Sequence, residues 1–98
     1  MTITKNQNGS NLTIALEGSL DTLTAPELEA ELKLDGITAL TFDFDKLDYI
    51  SSAGLRVILG AQKVMNKQGE MKVINVGTEI MEIFDITGFS DILTIEAK

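Results

Sequence analysis

Apolar residues along the chain change their spacing several times, and each change marks an element. Ile3 opens a short β-like segment. Asn8-Gly9-Ser10-Asn11 follows, a composition suited to a hairpin turn. Leu12, Ile14 and Leu16 then alternate with Thr13, Ala15 and Glu17, the period of a strand with one buried face. Gly18 to Leu23 leaves this strand as a loop. Thr24 is placed to cap a helix; Glu27 completes a capping box, and Pro26 sits in the permitted first turn. Leu28 and Leu32 lie one turn apart below Ala25, while Glu27, Glu29 and Glu31 can face solvent. The pattern predicts an amphipathic helix of about ten residues, ended by Asp35-Gly36.

Leu40, Phe42 and Phe44 alternate with Thr41 and Asp43, which predicts a central strand over 38–44. Residues 45–50 continue it irregularly. A second helix follows, with Val57, Ile58, Ala61, Val64 and Met65 on one stripe and Gly54 at its top. Arg56, Lys63 and Lys67 fall opposite, and Leu55 and Leu59 lie on a flank. Gln68-Gly69 ends this helix. Met71, Val73, Ile74 and Val76 make the next strand, ended by Gly77. Thr78 and Glu79 open a third helix carrying Ile80, Met81, Ile83 and Phe84, broken at Thr87-Gly88-Phe89. Ile92, Leu93 and Ile95 form a last strand or a mixed helix–strand segment. The order β-β-α-β-α-β-α-β implies right-handed parallel crossovers plus an antiparallel hairpin at one edge. The expected class is α/β: one domain over residues 1–98, with a mixed, mostly parallel sheet, an N-terminal hairpin and helices packed on it.

Composition narrows the function. The 98 residues include no cysteine and no histidine. Thiol catalysis, serine–histidine triads and thiolate or imidazole metal sites are excluded. The net charge of −7 disfavours nucleic acid and anionic membrane surfaces. It permits partners with basic faces, or serves solubility alone. No apolar run reaches the roughly 18–20 residues that would cross a bilayer. Met1-Thr2-Ile3-Thr4-Lys5 lacks the layout of a signal peptide, so a cytoplasmic location is expected. Asp21, Asp43, Asp45 and Asp48 could be imagined as an oxygen-ligand metal site, but acids after strands are commonly solvated or capping residues. There is no phosphate-cradling glycine loop. The expectation is a protein-binding module, not an enzyme, with no cofactor and no metal.

The turn Ser51-Ser52-Ala53-Gly54 is the candidate working part. Either serine can serve as an ordinary N-cap, stabilising by about 1 kcal/mol. Gly54 permits close approach of the backbone or of a partner. A serine there also sits at the positive end of a helix, on the strand edge where α/β proteins bind ligands. A phosphate at that point is tolerated by the fold and adds about −1.5 to −2 charge. Such a change alters binding without unfolding the chain.

At these residues the sequence resembles a STAS domain (the sulphate-transporter and anti-sigma-factor-antagonist family), specifically the free-standing anti-sigma-factor antagonists. The resemblance spans essentially the whole chain. It rests on Gly18-Ser19-Leu20-Asp21, on Thr24-Ala25-Pro26-Glu27-Leu28, on Leu47 to Val57 including the serine turn, and on Ile83-Phe84-Asp85-Ile86-Thr87-Gly88-Phe89. It implies binding to an anti-sigma factor that is also a serine kinase, which frees a sigma factor for transcription. It further implies that the kinase breaks the complex by phosphorylating one serine, and that a metal-dependent phosphatase restores it. In members with an Asp-Ser-(Ser/Thr)-Gly turn the acceptor lies two residues before the glycine, here Ser52. Ser51 occupies the aspartate position and offers a second hydroxyl; Ala53 precedes the glycine.

Asp21 matches the family aspartate near that serine, and either forms part of the docking surface or caps the loop before the first helix. Arg56 faces away from the core stripe and could pair with an acidic partner group, steady a phosphate, or remain solvated. Leu55 is assigned to the partner surface with Ser51, Ser52 and Gly54, or else to the core. The alternative to a phosphorylation switch is a constitutive accessory subunit of a transporter or signalling complex. A nucleotide- or lipid-sensing module ranks last.

Overall fold

The computed structural model describes residues 1–98. Strand β1 (Thr2–Asn8) and strand β2 (Asn11–Leu20) form the hairpin, turning at Gly9 with φ 63°. They pair antiparallel from Thr2↔Glu17 to Asn8↔Asn11. Helix α1 (Ala25–Glu31), β3 (Ala39–Ile50), α2 (Ser52–Met65), β4 (Glu70–Val76) and α3 (Thr78–Thr87) follow. A single 3-10 turn at Phe89–Asp91 and a short β5 (Ile95–Ala97) close the chain. The C-terminal segment is therefore mixed. The sheet order is β1-β2-β3-β4-β5, parallel everywhere except at the hairpin.

Strands added one after another by right-handed crossovers put every connecting helix on the same side. Burial agrees. Leu12, Ile14, Leu16, Leu40, Phe42, Phe44 and Val73 are buried, while their alternates Thr13, Ala15, Thr41, Asp43 and Lys72 are only partly covered or exposed. The helices thus seal one face, and a small-residue polar face stays open. On the sealed side the Phe44 ring lies 6.2 Å from that of Phe84 in α3, stacked at 30°, and 6.4 Å from Phe42.

Four expectations need correction. β2 does not end at Gly18. It runs to Leu20, with Gly18 at φ 105° beside a register shift. β3 is not confined to 38–44 but continues to Ile50. Two irregularities interrupt its pairing with β2: Asp43 faces Ala15 but Lys46 faces Glu17, and Leu47 faces Gly18 but Tyr49 faces Ser19. Each inserts an extra β3 residue, so buried positions step from Phe44 to Leu47 to Ile50 and the alternation disappears.

α1 stops at Glu31, earlier than expected. Leu34 and Ile37 beyond it are both buried, and the Gln68 amide donates to Leu34 O at 2.6 Å and Ile37 O at 2.7 Å. That remote side chain fastens the turn after α1, where Leu34 O also accepts Ile37 N–H at 3.0 Å, to the end of α2. Thr24, finally, forms no capping box. Its side chain makes no cap bond to α1 and turns back toward Asp21 and Ser19.

Two glycines make a contrast in packing. A Cβ on Gly69 would overlap the Thr38 backbone, where α2 hands over to β4, whereas Gly60 faces open space in the middle of α2. Gly69→Ala is predicted to lose about 2–3 kcal/mol in urea denaturation. Gly60→Ala is predicted to gain about 0.5–1 kcal/mol. Equal effects of the two substitutions would contradict this packing.

Candidate functional site

The parallel strands β2 and β3 end side by side. Leu20 pairs with Ile50, and Ser51 N–H donates to Leu20 O at 2.9 Å. The chain segments after both strands, the Asp21 loop and the serine turn, are therefore neighbours at the C-terminal edge of the sheet. Gly54 makes this possible. A Cβ there would come within 2.7 Å of Leu20 Cγ and 3.0 Å of Ile50 Cγ1. The first turn of α2 rests directly on both strand ends.

The two serines differ. Ser51 is extended, with φ −97° and ψ 175°, and its Oγ accepts the Gly54 N–H at 3.3 Å. Its carbonyl accepts from Leu55 N–H at 2.9 Å. Ser51 is the N-cap. Ser52 is the first helical residue, exposed, and its hydroxyl bonds no protein group. One hydroxyl is committed to the helix and the other is free.

Asp21 organises the adjacent loop. Its Oδ1 accepts from Leu23 N–H at 3.0 Å and from Thr24 N–H at 3.1 Å. Thr24 Oγ1 accepts the Asp21 N–H at 2.8 Å and donates to Ser19 O at 2.8 Å. The Thr24 N–H bond, then those from Leu23 N–H and the Thr24 hydroxyl, hold the Asp21 carboxyl below its ordinary value; partial desolvation opposes them. Oδ2 has no partner in the chain. The same carboxylate thus caps the loop with one oxygen and presents the other to solvent. The loop projects Leu23, which is 85% exposed, and Tyr49 near the end of β3 is 51% exposed.

Residues 2–98 match the STAS domain family. The chain belongs to that family. It is 35% identical to BtrV of Bordetella bronchiseptica over 99 residues, covering 97% of this chain and 85% of BtrV. It is 33% identical over 95 residues to the anti-sigma-B factor antagonist of Bacillus subtilis, covering 94% and 87%. The Bacillus cell fate determinant SpoIIAA in its phosphorylated form shares the fold, with a TM-score of 0.77, 17% identity, and coverage of 99% and 92%.

Within this STAS domain, two residues assigned to the partner surface lie elsewhere. Leu55 is 6% exposed and packs in the core. Gly54 is buried against Leu20 and Ile50 and serves helix–strand contact instead. The buried arc of α2 is centred on Ile58 and Met65 and takes in Leu55 and Gln62, while Val64, placed on the stripe from sequence, is 42% exposed. Arg56 is exposed and forms no ion pair. It borders a groove of about 320 Å³ between α1 and α2, together with Thr22, Pro26, Glu29 and Ala53. Leu23 was not recognised from sequence. Its signal was an apolar residue inside the polar loop Asp21–Thr24, off the spacing of either flanking element.

Ser51→Ala is predicted to cost about 1 kcal/mol of stability, and Ser52→Ala less than about 0.5 kcal/mol, both by urea denaturation. The reverse ranking would exchange the two roles. Asp21 titrates lower in the folded chain than in the unfolded one, so it stabilises the fold fully at neutral pH. That contribution is lost as pH falls through the folded value. The stability gap between wild type and Asp21→Ala is therefore predicted to narrow below about pH 4. A gap that widens on acidification would show the sign to be wrong.

Proposed function

We propose that this STAS protein is an anti-sigma-factor antagonist whose docking surface is centred on Ser52. The partner is an anti-sigma factor with serine kinase activity, and its capture releases a sigma factor to transcription. Phosphorylation of Ser52 ends the contact, and a metal-dependent serine phosphatase restores it. The chain contributes no catalytic step of its own, touches no nucleic acid directly, and works in the cytoplasm. No helix is long and apolar enough to cross a membrane.

The observation that carries this reading is the division between the two hydroxyls. Ser51 Oγ is held by the helix it caps, while Ser52 Oγ is exposed and unbonded at the first position of α2. A phosphate there meets free N–H groups and the positive helix end, so the fold accommodates it. The first turn of α2 contains no acidic residue to oppose it. The partner meets a surface changed by up to two negative charges. The free Asp21 oxygen, exposed Leu23 and unpaired Arg56 supply an acid, an apolar anchor and a cation around the acceptor. The relation to the Bacillus subtilis antagonist supports the same reading.

The test uses the cognate anti-sigma-factor kinase with ATP. Wild type and Ser51→Ala are expected to take up phosphate, and Ser52→Ala is not. Equal incorporation in Ser52→Ala would refute the assignment. Ser52→Asp is expected to weaken kinase binding at least tenfold with a thermal midpoint within about 2 °C of wild type. Retained tight binding by Ser52→Asp would favour a constitutive accessory subunit over a switch.

A further inference from the structure

At the opposite end of the sheet from Ser52, a cavity of about 510 Å³ opens beside the first residues of β4, with Gln62, Asn66, Met71 and Thr94 in its wall. The sheet is incomplete here. β5 pairs with β4 only from Val73↔Ile95 onward. Glu70 N–H donates to Thr38 O on the β3 side, and Val73 N–H donates to Thr94 O on the β5 side, both at 2.9 Å. Main-chain groups alternate along a parallel strand. Met71 therefore presents its N–H and C=O outward, on the same side as Val73, where no strand lies.

The helix side of the cavity is formed by Gln62, which is only 7% exposed and is the buried polar residue of the core. One end of its amide bonds to Asn66 at 2.7 Å, and the other end bonds no protein group. Since no fully enclosed side-chain nitrogen or oxygen lacks a partner, that free end opens onto the cavity Gln62 lines. Inside the protein this amide uses one of its four hydrogen-bonding positions, and burying the rest of the side chain costs more than burying an apolar one of its size. Of the charged groups in the wall, Lys72 lies 3.8 Å from Glu96, while Glu70 is exposed without an ion pair and disfavours an anionic occupant. What the site offers is a free β-edge donor and acceptor beside a neutral amide whose oxygen bonds no protein group.

We propose that this edge takes an extended peptide segment of a partner, paired with the Met71 main chain and aiming one uncharged polar side chain at Gln62. This is strand addition. It continues the β4–β5 pairing past the point where the protein's own chain turns away. The stretch Glu70–Lys72, paired with β3 but open on its outer edge, is about 10 Å long at 3.3 Å per residue, so the added strand is short. The site is independent of Ser52, which lies ten residues away along α2, about 15 Å.

The probe is the blocked peptide acetyl-Val-Thr-Asn-Thr-Val amide, titrated to millimolar concentration into ¹⁵N-labelled full chain. The expected result is shifts at the Met71 and Lys72 backbone amides and at the Gln62 side-chain amide, with slowed exchange of the Met71 N–H. Ser52→Asp should bind the peptide as wild type does, which separates this site from the switch. Gln62→Leu is expected to keep or raise the thermal midpoint and to weaken the peptide at least tenfold. Absence of shifts in wild type would overturn the proposal. So would unchanged affinity in Gln62→Leu, or equal shifts from N-methylacetamide, which would make the site one for small amides.

Discussion

The contact on which the site depends is the approach of Gly54 to Leu20 and Ile50. A helix that starts directly on two strand ends needs a residue without a side chain at the point of contact. Because that residue is glycine, the serine turn is pressed against the end of β2, and Ser51 N–H can reach Leu20 O. Two segments distant in sequence, 21–24 and 51–56, become one surface. Every property assigned to Ser52 follows from this docking. The free hydroxyl, the helix end behind it and the neighbouring Asp21 loop share one edge because the strands stop together.

The same edge separates work that a single serine would have to combine. A cap must hold its oxygen on a backbone N–H, whereas a modified residue must give its oxygen up. Ser51 performs the first task, and the Ser52 hydroxyl is left free. Asp21 shows a similar economy, with one carboxylate oxygen inside the loop and one outside. A negatively charged residue with structural obligations is harder to reposition than a solvated one. That gives the surface a fixed charge beside the serine turn.

Much of the architecture was legible in the sequence, because it follows from local periods. Alternation at Leu12–Leu16 and Leu40–Phe44, and the helical spacing of Ile80 and Phe84, led directly to the ordered elements of the sheet and α3. The failures share a cause, which is partners far away in the chain. The irregularities in β3 shift its buried positions from a period of two to one of three, so 45–50 lost its strand signature. Thr24 obeys a local capping rule in composition, yet Asp21 and Ser19 claim its hydroxyl. Leu55 looked peripheral because the stripe was drawn to include Val64, whereas packing against the sheet turns α2 toward Ile58 and Met65 and leaves Val64 exposed. At the candidate site, Ser52 and Asp21 were visible as residues. The burial of Leu55 and Gly54, and the exposure of Leu23, were set by tertiary contacts.

The Gln68 side chain ties the two crossovers of the sheet together. It joins two carbonyls of the α1–β3 connection across 31 and 34 residues of chain. Leu34 O also accepts the local Ile37 N–H at 3.0 Å, so one bond holds the turn and the other fastens it to the end of α2. Closing so distant a clasp uses up the freedom of the loop between its ends. The connection after the short first helix is thus anchored from the far end of the second crossover, and a disturbance at the end of α2 reaches it through a single amide.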